Sequence, residues 1–117
     1  MHDFKKLAVW QKVRDFVKDL YLLTKKFPSE EKFGLTQQIR RASISIFSNI
    51  AEGAGRNTAP DFARFLDIAN GSAFEVETQL YVAIDLGYIS QQEFESITVQ
   101  LQEIEKMLYN LRKSLIK

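Results

Sequence analysis

Apolar side chains recur along this chain at alternating spacings of four and three. That is the period of a helix burying one face. Val9, Val13, Phe16, Leu20, Leu23 and Phe27 form the first seam, with Leu7, Trp10, Val17 and Tyr21 in a second row. The spacing predicts a first helix over 5–27, stopped by Pro28, which bars helical geometry in the residue before it and cannot continue the ladder. Ser29-Glu30-Glu31 reads as a short helical start, Gly34 as a break, and Thr36 as the cap of a second helix reaching Glu52. Gly53 and Gly55 end that helix by accepting the left-handed conformation. Thr58 with Asp61 caps a third helix, with Pro60 in its first turn. Phe62, Leu66, Ala69, Ala73, Val76, Leu80 and Ala83 carry its seam, and Gly87 stops it. Ser90 and Glu93 form a capping box for a fourth helix, whose seven-residue repeat runs from Phe94 to Leu115. The short connections, with no strand-like alternation, predict an all-α, antiparallel up-down-up-down four-helix bundle, one domain over 1–117.

Helix two carries more apolar surface than one seam needs. Leu35, Ile39, Ala42, Ile46 and Ile50 share a face, while Ile44, Phe47 and Ala51 lie a quarter to a third of a turn away. Phe65, Ile68 and Phe74 likewise widen helix three. Ile44, Phe47, Phe65, Ile68 and Phe74 are therefore the candidate contacts of a homo-oligomer. Gly71, inside the small-residue run Ala69–Ala73, predicts a close backbone crossing, because mid-helix glycine costs roughly 1 kcal/mol relative to alanine.

Composition narrows the chemistry. The chain has 117 residues and a net charge of +1. That charge divides unevenly: +4 over 1–28, +1 over 29–59, −8 over 60–105 and +4 over 106–117. If the two ends of the chain meet, they form a basic region beside an acidic helix. Without cysteine there is no disulfide framework, thiolate zinc site or cysteine nucleophile. No apolar run approaches a membrane span and no signal peptide is visible, so the expectation is a cytoplasmic protein with no membrane contact. His2 is the only histidine, which argues against a carboxylate di-metal site and against a serine–histidine pair. Gly53-Ala54-Gly55-Arg56 lacks the spacing and the Gly-Lys-Ser/Thr ending of a phosphate loop. No catalytic residue, metal or cofactor is expected.

Two polar constellations remain. Arg41, Ser45, Ser48 and Glu52 line one strip of helix two. With Asn49 and with Glu75 of helix three, Arg41, Ser45 and Glu52 form a candidate polar clamp that fixes helix register; the alternative is a strip presented to a ligand. Arg40, Arg56 and Arg64, with Lys12 and Lys18 of helix one, form a candidate phosphate-binding set. Guanidinium forks suit phosphates, and no base-reading module is present, so such binding would follow backbone and shape. A solvated basic face is the alternative.

The residues also carry a resemblance. Gln38-Ile39-Arg40-Arg41-Ala42, Ser45, Asn49-Ile50-Ala51-Glu52-Gly53 and Arg56 resemble the signature of the bacterial family of proteins encoded by intervening sequences in 23S rRNA genes. So do Phe65-Leu66-Asp67-Ile68-Ala69-Asn70-Gly71-Ser72, Glu75 and Leu80, together with Leu7–Gln11, Phe27-Pro28, Phe33–Thr36 and Leu86–Ile89. One departure is Phe47, where many members carry proline; helix two should be straighter for it. The resemblance implies a four-helix bundle assembling into a ring-like homopentamer, with no known enzymatic activity. A bundle similar in fold, the accessory variability protein of diversity-generating retroelements, binds nucleic acid, which makes RNA or DNA the candidate partner by analogy. The expected function is a non-enzymatic, oligomeric nucleic-acid-associated protein. The alternative is a protein-interaction scaffold with structural arginines. An enzyme would need a deep polar pocket around Arg41, Glu52 and Glu75.

Overall fold

The computed structural model describes residues 2–116. Four helices, α1 (Ala8–Thr24), α2 (Leu35–Ala54), α3 (Ala59–Asp85) and α4 (Gln91–Leu115), are joined by short connections, with single 3-10 turns at Phe4–Lys6 and Ser29–Glu31. Each helix runs antiparallel to the next. Trp10 and Tyr21 of α1 meet Phe47 and Arg40 of α2, Ser45 meets Ser72 of α3, and Asp67 and Tyr81 of α3 meet Arg112 and Phe94 of α4. Lys12 of α1 pairs with Glu103 of α4 at 2.7 Å, closing the up-down-up-down bundle. The predicted seams converge on one core built from Val13, Phe16, Ile39, Ile46, Leu66, Val76, Leu101 and Ile104 among others. No helix of the described residues is long and apolar enough to cross a membrane.

This topology puts the first residues of α1 beside the last turns of α4, where Leu7 and Val9 face Met107 and Leu111. The two basic ends of the chain therefore do meet, at the end of the bundle that also holds the α2–α3 turn.

The helix ends show which local signals decided them. Ser90 and Glu93 make the expected reciprocal box, at 3.1 and 2.9 Å, and the Thr58 hydroxyl accepts from the Asp61 N–H. Gly87 stops α3 with φ +76, and Tyr88 N–H donates back to the Ala83 carbonyl at 2.9 Å. Three expectations fail. Helix one is shorter at both ends: Leu7 is extended and separates the Phe4–Lys6 turn from α1, and the chain leaves α1 after Thr24, although Phe27 still reaches the core. Thr36 does not cap α2; the Leu35 N–H donates instead to Glu31 Oε1 at 3.0 Å. Gly53 does not stop α2, which continues to Ala54, and Gly55 has an ordinary helical φ of −84.

Gly53 has a different role. A Cβ there would lie 2.7 Å from Phe65 Cβ and 2.9 Å from Phe62 Cδ1, so α2 and α3 cross where only a hydrogen fits. Gly71, expected at such a crossing, has nothing within 4 Å of an added Cβ.

Candidate nucleic-acid interface

The α2–α3 turn builds a compact basic cluster. Gly55 and Arg56 N–H groups donate to the carbonyls of Glu52 and Gly53, turning the chain out of α2. Thr58 then starts α3. Arg56 thus falls just before α3 and Arg64 in its second turn, and both reach Phe65. Their guanidinium carbons lie 4.5 and 4.6 Å from the Phe65 ring centroid. Arg64 donates to Asp61 Oδ1 through Nε at 3.2 Å and Nη2 at 3.1 Å, and Arg56 Nε approaches Oδ2 at 3.8 Å. Two cations share one carboxylate, so the cluster keeps a surplus positive charge. Stacking on an aromatic face uses the flat side of a guanidinium and leaves in-plane N–H donors for an anion.

The surroundings extend this charge. The His2 ring packs tilted against Phe62 at 5.1 Å, and its backbone N–H donates to the Ala54 carbonyl at 2.7 Å. Lys5 and Lys6 follow at the surface, and Arg112 pairs with Asp67 at 2.5 Å. Among the described residues this end carries six lysines and arginines (Lys5, Lys6, Arg56, Arg64, Arg112, Lys113) against four carboxylates (Asp3, Glu52, Asp61, Asp67).

The other candidate cations do not join it. Arg40 donates from Nε to Thr24 Oγ1 at 2.8 Å and from Nη2 to the Tyr21 carbonyl at 3.1 Å, and lies over the Tyr21 ring. It satisfies a carbonyl at the C-terminus of α1, and sixteen residues of helix place it about 24 Å from Arg56 along α2. Lys12 is committed to Glu103, whose carboxyl it holds below the usual range. Lys18 is exposed on α1 and makes no ion pair among the described residues. One protomer therefore brings together Arg56 and Arg64 alone of the predicted five.

The α2–α3 contact is polar, but made by small groups. The Ser45 and Ser72 hydroxyls meet at 2.9 Å, and Asn49 Nδ2 donates to the Ser45 carbonyl at 2.8 Å and its hydroxyl at 3.1 Å. Arg41, Glu52 and Glu75 are exposed and form no ion pair with one another, so the long-chain part of the expected clamp is absent within the protomer. Helices held this close by Gly53 leave no room between them for an arginine–glutamate pair. Ser72 was legible as part of the small-residue run around Gly71 and of the motif Phe65–Ser72, neither of which assigned it to this contact.

The predicted oligomer contacts also divide. Phe65 is 7% exposed, sealed by its two arginines, and belongs to the fold. Phe47 is half-buried and stacked on Trp10 at 4.9 Å. Ile44, Ile68 and Phe74 are exposed. Arg41 lines a depression with Tyr21, Phe33 and Arg40 that includes neither Glu52 nor Glu75, and a 580 Å³ groove lies between α3 and α4, which the sequence reading did not single out. Among the described residues no group of three or more His, Asp or Glu side chains is placed to hold a metal ion.

The 23S rRNA-intervening sequence protein family model matches residues 5–110. A crystal structure of a protein with unknown function from the S23 ribosomal protein family of Bacteroides thetaiotaomicron superposes with a TM-score of 0.84 at 34% identity, covering 91% of this chain and 99% of that one. No curated protein matches the chain. The match along nearly the whole bundle, with the shared fold, makes this chain a member of the 23S rRNA-intervening sequence protein family.

Proposed function

We propose that this protein is a non-enzymatic, self-associating bundle that binds the phosphate backbone of RNA or DNA through the end carrying Arg56 and Arg64. The observation supporting this is the pair of guanidiniums packed on Phe65 and sharing the single carboxylate of Asp61. Packing on the Phe65 ring lowers the entropy lost on gripping a phosphate, and His2, Lys5 and Lys6 widen the basic area. One such cluster gives weak affinity, and several copies in a ring-like assembly would raise it without any new contact. The exposed aromatic side chains Phe33, Phe74 and Tyr109 favour association of copies.

Fluorescence anisotropy with labelled single-stranded RNA, duplex RNA and duplex DNA tests the reading. Binding is expected at 50 mM salt, falling steeply by 200 mM. Arg56→Glu with Arg64→Glu should weaken it more than tenfold, and two lost phosphate contacts should lower the log–log salt slope by about 2. Absence of binding to every form at low salt would refute nucleic-acid recognition and leave a scaffold built on the same apolar surfaces.

A further inference from the structure

We propose that the depression where the last turns of α1 meet the first turns of α2 binds single-stranded nucleic acid, with one base stacked on Phe33 and neighbouring phosphates on Lys32 and Arg41. This rests on the nucleic-acid reading above and names the form that is bound and a second place that binds it. The depression, 400 Å³, is lined by Tyr21, Lys32, Phe33, Arg40 and Arg41 among others. It adjoins another of 350 Å³ that shares Lys32, Thr36 and Arg40 and adds Lys25. Phe33 is 80% exposed, the most exposed large apolar side chain of the described residues. Lys32 Nζ lies 5.5 Å from its ring centroid, and no other aromatic ring of the described residues packs on it.

The charges around this ring are free to meet a ligand. Lys25, Lys32 and Arg41 are exposed and make no ion pair among the described residues. No carboxylate lines either depression, and α2 carries none from Leu35 to Ala51. Glu31, close by in sequence, is already committed to the Leu35 N–H and the Tyr88 hydroxyl. Arg40 keeps its donors on the last turn of α1 and lends the floor its charge. Phe33 differs in this from Phe74 and Tyr109, whose groove holds carboxyls as well as Lys106. A second copy covering Phe33 with this same face would bring like charges together. An acidic peptide would pair the cations and leave the ring without a stacking partner. A nucleic-acid strand supplies both, a phosphate for each cation and a π-face for the ring. A duplex keeps its base faces inside the stack, so an unpaired strand alone can use Phe33.

Fluorescence anisotropy at low salt tests this, with a labelled oligouridylate of about 12 nucleotides and a duplex of the same length. The single strand is expected to bind more tightly. Phe33→Ala, a change at an exposed position that should leave circular dichroism unaltered, should weaken the single strand at least fivefold and the duplex not at all. Phe33→Leu should behave like Phe33→Ala, and Phe33→Trp should bind at least as well as wild type, with the introduced indole quenched by the strand. Arg41→Ala should lower the log–log salt slope for the single strand by about 0.7. Wild-type affinity in Phe33→Ala or Phe33→Leu, while Arg56→Glu with Arg64→Glu abolishes binding, would refute the stacking site and leave the arginine cluster standing. A lower sedimentation mass for Phe33→Ala with unchanged binding would assign the ring to a second copy and refute the inference. Poly-glutamate competing charge for charge as well as the strand would refute it in favour of acidic peptides. No binding of either nucleic acid would refute the reading beneath it as well.

Discussion

Individual residues decide more here than their type announces. Glycine is the clearest case: one glycine lies at a contact too tight for any side chain, another in open space, and the sequence reading chose the wrong one. Small neighbours made Gly71 look like a crossing point, but crossings are set by which residues oppose one another in the partner helix, and Phe62 and Phe65 oppose Gly53. Gly53→Ala should cost on the order of 1–3 kcal/mol, since Phe65 Cβ is fixed to the backbone and cannot yield. Gly71→Ala should stabilise by up to ~1 kcal/mol. Urea denaturation of both variants measures the contrast. Phe65 carries a related correction. As a side chain buried in the protomer, Phe65→Ala should cost about 3 kcal/mol, and Phe65→Asp should unfold the bundle rather than merely dissociate copies. Thermal melts followed by circular dichroism distinguish these outcomes.

Glu105 makes a pH prediction of definite sign. Burial and the Glu77 carboxyl push it from 4.5 up to about 8. Between those values the folded chain holds a proton that the unfolded chain has lost. Its contribution to stability is complete below about 4.5, declines as pH rises, and is gone above about 8. Glu31 (through the Leu35 N–H and Tyr88 hydroxyl), Glu93 (through Lys26 and the Ser90 N–H) and Glu103 (through Lys12) are held low. Their contribution is present above 4.5 and lost as pH falls below it. Glu105→Gln should therefore have a higher urea midpoint than wild type at pH 8 and a similar one at pH 4.5.

At the scale of elements, the four helices and most of their seams were legible because the 3.6-residue period and the Thr58, Ser90 and Gly87 signals are local. What was not legible depends on the chain returning to itself. The first turn of α2 is closed by Glu31, four residues upstream, and that carboxylate is in turn held by Tyr88 from beyond α3 at 2.8 Å. Arg40 was read as a cation for a partner, yet it holds the end of α1. Nothing in the spacing of Thr24 and Arg40 reports that their helices meet. Ser90→Ala should cost roughly 1 kcal/mol through the lost cap, with α4 retained. Calorimetry of that variant would show a lowered melting temperature without loss of the cooperative transition.

At the scale of the molecule, folding sorts a nearly neutral chain into regions of distinct charge. The basic termini and the α2–α3 turn share one end, while α3 and α4 carry most of the carboxylates. Charge asymmetry along the sequence pointed to this only conditionally, because it required the two ends of the chain to meet. The predicted cation set failed for the same reason: membership of one basic patch is a property of helix direction, and Arg40 lies at the far end of the helix that leads to Arg56.

The seams between helices are not equivalent, and this has a consequence for motion. α2 and α3 are locked by the Gly53 crossing and the Ser45–Ser72–Asn49 hydrogen bonds. The start of α1 meets α4 across a 250 Å³ gap lined by Leu7, Val9, Met107 and Leu111, with surface ion pairs farther along. In hydrogen–deuterium exchange, amides of α1 should lose protection before those of the α2–α3 hairpin, as a sub-global opening of the first helix. Such an event would release His2 and Lys5 from the basic end while the arginine pair stayed in place, so the reach of that surface would follow the breathing of a helix that contributes neither arginine.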